Sequence, residues 1–282
     1  MKSPGEYITH HLTDWCVGCG ADHQPQGLVD FNAVTLDLLL VSLACALTIA
    51  VVARVLGSRL SMESPGRLQL AVEAAVEYIT DQIREVFPRV NHFVGAMALL
   101  IFFWVLLMNM ADLVPIDLPP TVAGLIGGAF GVEETYFRFV PTAALDTPFA
   151  MAIVVFVMTV TYQIRANGVG GYFKRFLVHP YGKYALPANI VTVLIEDLSK
   201  PISLALRLFG NLFAGELIFA LLALLTFATL EPISAAVAIW APLHFIGGVI
   251  WSLFHLLIIV LQAFIFAVLT IVYLGMAQQP EH

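Results

Sequence analysis

Two neighbouring apolar stretches carry side chains that can hold, release or repel protons. The first contains Glu196, Asp197, Ser199, Lys200, Arg207, Asn211 and Glu216; the second contains Ser252, His255 and Gln262. Arg207 is the most demanding of them, because a guanidinium keeps its proton at every physiological pH. Placing it in a bilayer costs about 2.5–3.5 kcal/mol on insertion scales and ~10–17 in simulations, so such a residue reads by default as part of an ion or proton pathway. At 100° per residue, Lys200, Arg207 and Asn211 fall within about 60° of one another, and Glu216, nine residues beyond Arg207, points to the opposite face. His255 and Gln262 are seven apart and share a face.

If the two stretches are helices folded into an antiparallel hairpin, one register places Arg207 level with Gln262 and Glu216 level with His255. Its centre falls near residue 235, close to an independent turn signal at Glu231-Pro232. Glu216 and His255 are then protonatable groups able to line an aqueous path from one side, and Glu196 and Asp197 could line a second path from the other. A permanent cation between them bars direct proton flow and favours a deprotonated carboxylate on a partner. A proton crossing here therefore needs a second, mobile carboxylate. Blander readings stand beside this one. His255 and Gln262 could make helix–helix hydrogen bonds only, Lys200 could snorkel to the interface, and Glu196 and Asp197 could be solvated helix-end charges.

The elements that must position these residues follow from composition. The chain has 282 residues, 60% hydrophobic and 12% charged, with mean hydropathy +0.89; a soluble domain has about 25% charged residues. The expected fold is an all-α polytopic membrane protein. Its apolar runs are much longer than the ~10-residue strands of a membrane barrel. Residues 33–53, 91–111 and 148–164 read as three spans. Residues 65–88 have Leu68, Val72, Ala75, Val76, Ile79, Ile83 and Val86 at helical spacing, with charges between them, and read as an amphipathic helix lying on the membrane surface or on the protein's own loops. Residues 112–146 read as a loop with a short hairpin, and 165–187 as a basic, Gly-rich loop. The stretches 188–229 and 236–277 would run ~60 Å as helices, twice the ~30 Å hydrocarbon core. Each is two spans or one steeply tilted helix, and the absence of a proline or polar turn between Pro201 and Leu230 favours the tilted helix. With five crossings in all, residues 1–32 form an N-terminal tail and 33–282 a single integral membrane domain.

Positive charge sets the orientation. Arg54, Arg59, Arg67, Arg84 and Arg89 lie in one segment and Arg165, Lys174, Arg175 and Lys183 in another, against Lys2 in the tail and Arg138 in the 112–147 loop. The N-terminus is expected outside and the C-terminus in the cytoplasm. The tail lacks the basic start and apolar core of a signal peptide. It holds Cys16-Val17-Gly18-Cys19 and, four residues on, His23. A zinc site, a local disulfide and no specific role all remain open for it; a second cysteine pair for zinc is absent, and a disulfide needs an oxidising side. Cys45, within the first span, reads as packing.

At its polar core the sequence resembles subunit a of the bacterial Fo-type ATP synthase. The similarity lies in Ser199-Lys200-Pro201-Ile202-Ser203-Leu204-Ala205-Leu206-Arg207-Leu208-Phe209-Gly210-Asn211 and on through Ala214-Gly215-Glu216. It recurs in His255 through Val272, including Leu261-Gln262-Ala263-Phe264, and in Trp104 through Pro115, including Asn109 and Asp112. The resemblance implies the stationary half of a rotary proton motor in the bacterial inner membrane. Arg207 would face a ring of c subunits and pair with each passing ring carboxylate. Asn109, Asp112, Asn211, Glu216, Ser252, His255 and Gln262 would form the outer half-path, with Glu196, Asp197, Ser199 and Lys200 in the cytoplasmic one. The implied partners are the c ring, the b subunits of the peripheral stalk, the rest of the complex and the lipid bilayer, with no nucleic acid; no cofactor, metal or catalytic site of its own is implied. The adjacent Glu196-Asp197 and the Cys-x-x-Cys are departures from the family pattern. The rival readings are a self-contained ion channel or secondary transporter, and a structural anchor. The first is weakened by the lack of internal repeats and of an intramembrane mobile carrier, the second by Arg207 itself.

Overall fold

The computed structural model describes residues 13–20, 32–87, 91–115, 118–129, 136–178, 180–182, 184–229 and 235–278. Among them are seven α-helices and one two-stranded ladder. In chain order these are β1 (Cys16–Val17), β2 (Val34–Thr35), α1 (Leu36–Ser58), α2 (Arg67–Val86), α3 (His92–Met110), α4 (Leu118–Ala129), α5 (Asp146–Val178), α6 (Leu186–Thr229) and α7 (Ala235–Gln278). Five helical stretches are long and apolar enough to cross a membrane: Leu36–Ser58, His92–Leu113, Asp146–Val178, Leu186–Ala223 and Ala241–Gln278. The expected all-α, five-span class is what the chain adopts. The turn anticipated at Glu231-Pro232 lies outside the described residues.

α6 and α7 are each 44 residues long, about 66 Å at 1.5 Å per residue. α6 continues through Pro201 and α7 through Pro242. Two expected loops are corrected. The 112–146 stretch contains α4, whose Pro119 and Pro120 stand in the first helical turn, where the missing N–H leaves no bond unmade. The 165–187 stretch is helical as far as Val178. At Gly168, where φ is 71° and ψ 164°, a conformation glycine adopts without steric cost, one helical segment of α5 ends and a second begins across a kink. α1 also starts later than expected, after β2, and runs on to Ser58.

The chain forms two compact units. One comprises residues 1–48, 104–144 and 210–262, the other 49–103, 145–209 and 263–282. In the second, α2 sets Ile79 and Ile83 into a core with Val94 and Ala98 of α3, Tyr162 of α5, and Ala267, Ile271 and Leu274 of α7. The amphipathic helix therefore rests one edge on the chain's other helices rather than on loops, and leaves Leu68, Leu70 and Val76 exposed. Gln69 secures its start, donating to the Ser61 carbonyl at 2.9 Å and accepting from the Ser61 N–H at 3.2 Å. The turn between α5 and α6 is held by Asn189, whose amide donates to the Leu177 and Gly182 carbonyls at 3.1 and 2.8 Å. In the first unit, Val105 and Met108 of α3 are buried, as are Leu212 of α6 and Ile259 of α7. Trp104 Nε1 donates to the Ser42 carbonyl of α1 at 3.2 Å.

Candidate functional site

Within the first unit, α6 and α7 are antiparallel and in close contact. Gly215 lies against the His255 imidazole so tightly that a Cβ there would overlap the ring. Four residues along, the Phe219 and Trp251 rings meet edge to face at 6.4 Å, while Phe219 also packs on His255 at 5.3 Å. This register puts His255 beside the Gly215-Glu216 turn of α6, as the hairpin expected from the sequence requires. Arg207 belongs to the second unit and Gln262 to the first.

The carboxylates of this region have partners that spacing alone does not reveal. His255 Nε2 and Asp112 Oδ2 are 2.6 Å apart, both side chains buried, with Asp112 on the 3-10 turn that follows α3. Glu216 does not pair with His255. It receives a two-pronged contact from Arg138, with Nη2 to Oε2 at 2.6 Å and Nε to Oε1 at 3.3 Å. The two side chains are 7% and 6% exposed, so the geometry is that of a buried fork-to-carboxylate pair. The same guanidinium donates to the Ala143 carbonyl at 2.8 Å and stands 3.5 Å from Asp14. Burial lowers the Arg138 pKa, but the Glu216 and Asp14 carboxylates outweigh it and leave the group above its ordinary value.

Asp37, also fully buried, fixes the backbone around this pair. Its carboxylate accepts from the N–H groups of Trp15, Arg138 and Leu38 at 2.9, 3.0 and 2.9 Å. A cavity of about 420 Å³ opens beside them, lined among others by Asp112, Arg138, Glu216, His244 and Ser252. Asn109 is buried deeper; its amide reaches the Ile259 carbonyl at 3.5 Å. Asn109 Oδ1, His255 Nδ1 and Trp251 Nε1 are buried with no protein partner among the described residues. Buried polar atoms of this kind are ones that an ordered water can satisfy. Asn211 is half-buried and Gln262 buried.

The second unit holds the other group. Asp197 is buried and paired with Arg175 of α5, Nη1 to Oδ1 at 3.1 Å. Glu196 is largely exposed, bound by Lys200 at 2.8 Å and near Arg175 at 3.5 Å. The Ser199 hydroxyl donates to the Glu196 carbonyl at 3.0 Å. A cavity of about 10 Å³, room for about one water, lies between Asp197, Lys200 and Tyr273. Arg207 differs from Arg138 and Arg175. Among the described residues its side chain has a single polar contact, Ser203 Oγ at 3.5 Å, and no carboxylate. The α6 positions around it, Ile202, Ser203, Leu206 and Gly210, are exposed.

Sequence reasoning placed Asp112, Glu216, His255, Asn109 and Ser252 in one region, and the structure brings them together. It missed Asp14 and Asp37 entirely and counted Arg138 and Arg175 only as orientation charges. The Arg138–Glu216 contact spans 78 residues; the one signal available was an arginine alone in an otherwise acidic loop.

Comparison with known sequences gives a consistent result. A sequence model of the ATP synthase A chain family matches residues 38–275. The chain is 43% identical to ATP synthase subunit a of Chromobacterium violaceum, with 96% of each chain covered. It is 40% identical to the subunit a of Alteromonas mediterranea, again over 96% of each chain. It is also 40% identical to that of Coxiella burnetii, over 97% of this chain and 96% of the relative.

Proposed function

This chain belongs to the ATP synthase A chain family, and from that premise we propose that it is the stationary proton path of a rotary motor, with Arg207 separating two offset half-channels. It is a multi-pass component of the proton-translocating membrane sector of the ATP synthase, not a catalytic subunit, and its partner is the rest of that complex.

The observation that carries the finer reading is the contrast among the arginines. Arg138 and Arg175 are buried against carboxylates of their own units. Arg207 has only a hydroxyl among the described residues, on an exposed strip of α6 where Ser203 and Gly210 let another helix approach closely. A cation left without an anion in an apolar span implies an anion supplied by a neighbour. A ring of c subunits, each presenting a carboxylate in turn, meets that need. The b subunits of the peripheral stalk would hold the chain against the torque.

The outer half-channel would run through the 420 Å³ cavity and use Asp112, Glu216, Ser252 and His255, then Asn109, Asn211 and Gln262. The cytoplasmic half-channel would use Glu196, with Asp197, Ser199 and Lys200 around it. Each proton moved down 100 mV releases about 2.3 kcal/mol, and ring rotation would carry that energy to the distant catalytic head. The positive charges of the 54–90 and 165–187 segments support an outside N-terminus in a bacterial inner membrane. The Cys16–Cys19 disulfide, which needs an oxidising side, supports the same orientation.

Cysteine cross-linking in membranes tests the ring-facing assignment. Leu206→Cys and Gly210→Cys are expected to cross-link to a cysteine placed beside the ring carboxylate, and Leu208→Cys, buried on the other face, is not. Cross-links from Leu208→Cys alone would refute it.

A further inference from the structure

Three features of the first unit are unused by the proton path. They are the Cys16–Cys19 pair, Asp14, and the short ladder that ties the N-terminal segment to α1. The two cysteines are joined to each other, which decides among the sequence alternatives for them; His23 lies outside the described residues. The disulfide closes the turn around Gly18, which sits at φ 84° and packs on the Asn32 carbonyl. Cys16 pairs with Thr35 in the antiparallel ladder, the Leu36 N–H donates to the Trp15 carbonyl at 2.9 Å, and the Trp15 N–H donates to Asp37 at 2.9 Å. Asp14 is the next residue toward the N-terminus. It is therefore delivered to a fixed place 3.5 Å from the Arg138 guanidinium, although residues 21–31 intervene between the two strands.

We propose that Asp14, held by the disulfide-closed turn, is a positioning residue for proton uptake: it shares the Arg138 guanidinium with Glu216 and so sets how strongly that cation grips the Glu216 carboxylate. This rests on the outer half-channel reading. Among the described residues, charged groups reach Arg138 from three elements. Asp14 faces it from the N-terminal segment, Glu216 from α6, and Asp37 of α1 binds its backbone N–H. Asp112, paired with His255 of α7, and His244 line the adjoining cavity. Of these, only Asp14 and Glu216 form ion pairs with the Arg138 side chain among the described residues. Removing the negative charge of Asp14 leaves the guanidinium to Glu216, which favours the anionic carboxylate over the protonated one. Glu216 then loads from a more acidic outer medium.

The test is the outer-pH dependence of proton-driven ATP synthesis by the whole complex in vesicles. Asp14→Asn is expected to move the alkaline limb, where synthesis falls as the outer pH rises, toward lower pH by about half a unit to one unit, with Asp14→Glu restoring it. The Cys16→Ser/Cys19→Ser double variant is expected to move it the same way, because Asp14 is then no longer held. A wild-type profile for Asp14→Asn, or for the double cysteine variant, would overturn the inference. Glu216→Gln in parallel separates the two levels: normal synthesis by that variant would sink the outer-path reading itself, whereas a defect there beside a normal Asp14→Asn would sink only this inference.

Discussion

Arg138 and Glu216 form a buried two-pronged ion pair, 2.6 Å at its shorter contact, between a loop residue and the middle of α6. The partner of Glu216, an acid of the proposed outer path, is thus supplied from outside α6 and α7. Truncating one member of a buried pair costs about 3–5 kcal/mol, because the other charge is left uncompensated. Arg138→Ala is expected to reduce the amount of subunit assembled in the membrane, and Arg138→Ala/Glu216→Gln to recover much of it. Quantitative immunoblotting of membranes checks this; a single variant that assembles as well as the double would contradict it.

His255 and Asp112 make a second buried contact in the proposed outer path, at 2.6 Å. A hydrogen bond to a charged group contributes ~1.5–3 kcal/mol, equivalent to about a ten- to hundredfold change in a rate or equilibrium. His255→Ala and Asp112→Asn are each expected to lower ATP-driven proton pumping within that range, and the double variant no further than the worse single one. Additive losses would show that the two residues act independently.

Gly215 leaves no room for a side chain beside His255. Overpacking a filled interior costs about 1–3 kcal/mol. Gly215→Val is expected to impair pumping as His255→Ala does, and Gly215→Val/His255→Ala to pump no worse than the worse single variant. Wild-type pumping by Gly215→Val would mean that the two helices are not in this register.

In the second unit, Asp197 and Glu196 separate by burial. Asp197 is buried on Arg175, while Glu196 is largely exposed on Lys200. An exposed pair contributes ~0–1 kcal/mol, so Glu196→Gln is expected to slow pumping with little loss of assembly. Asp197→Asn is expected to lower assembly first. The reverse pattern, read by pumping per assembled complex, would transfer the exit role to Asp197.

Much of this was legible in the sequence, for identifiable reasons. Long apolar runs require helices in a bilayer, so the five spans and the lengths of α6 and α7 followed from composition and continuity. Seven-residue and antiparallel spacings placed His255 beside Glu216. What escaped was of two kinds. Pro119-Pro120 and the glycines after Asn167 resemble loop punctuation, yet prolines fit the first turn of α4 and Gly168 only kinks α5. The long-range pairs, Arg138 with Glu216 and Arg175 with Asp197, depend on which loop returns to which helix. No local period encodes that, so both arginines could be read only as charges that orient the chain.

The most direct measurement is proton movement in vesicles carrying the whole complex, comparing Arg207→Ala with wild type, by ATP-driven pumping and by passive leak after the catalytic head is removed. With Arg207 as the barrier between the half-channels, pumping is lost while the complex still assembles, and passive leak is retained or increased. ATP-driven pumping at the wild-type rate by Arg207→Ala would contradict the barrier role.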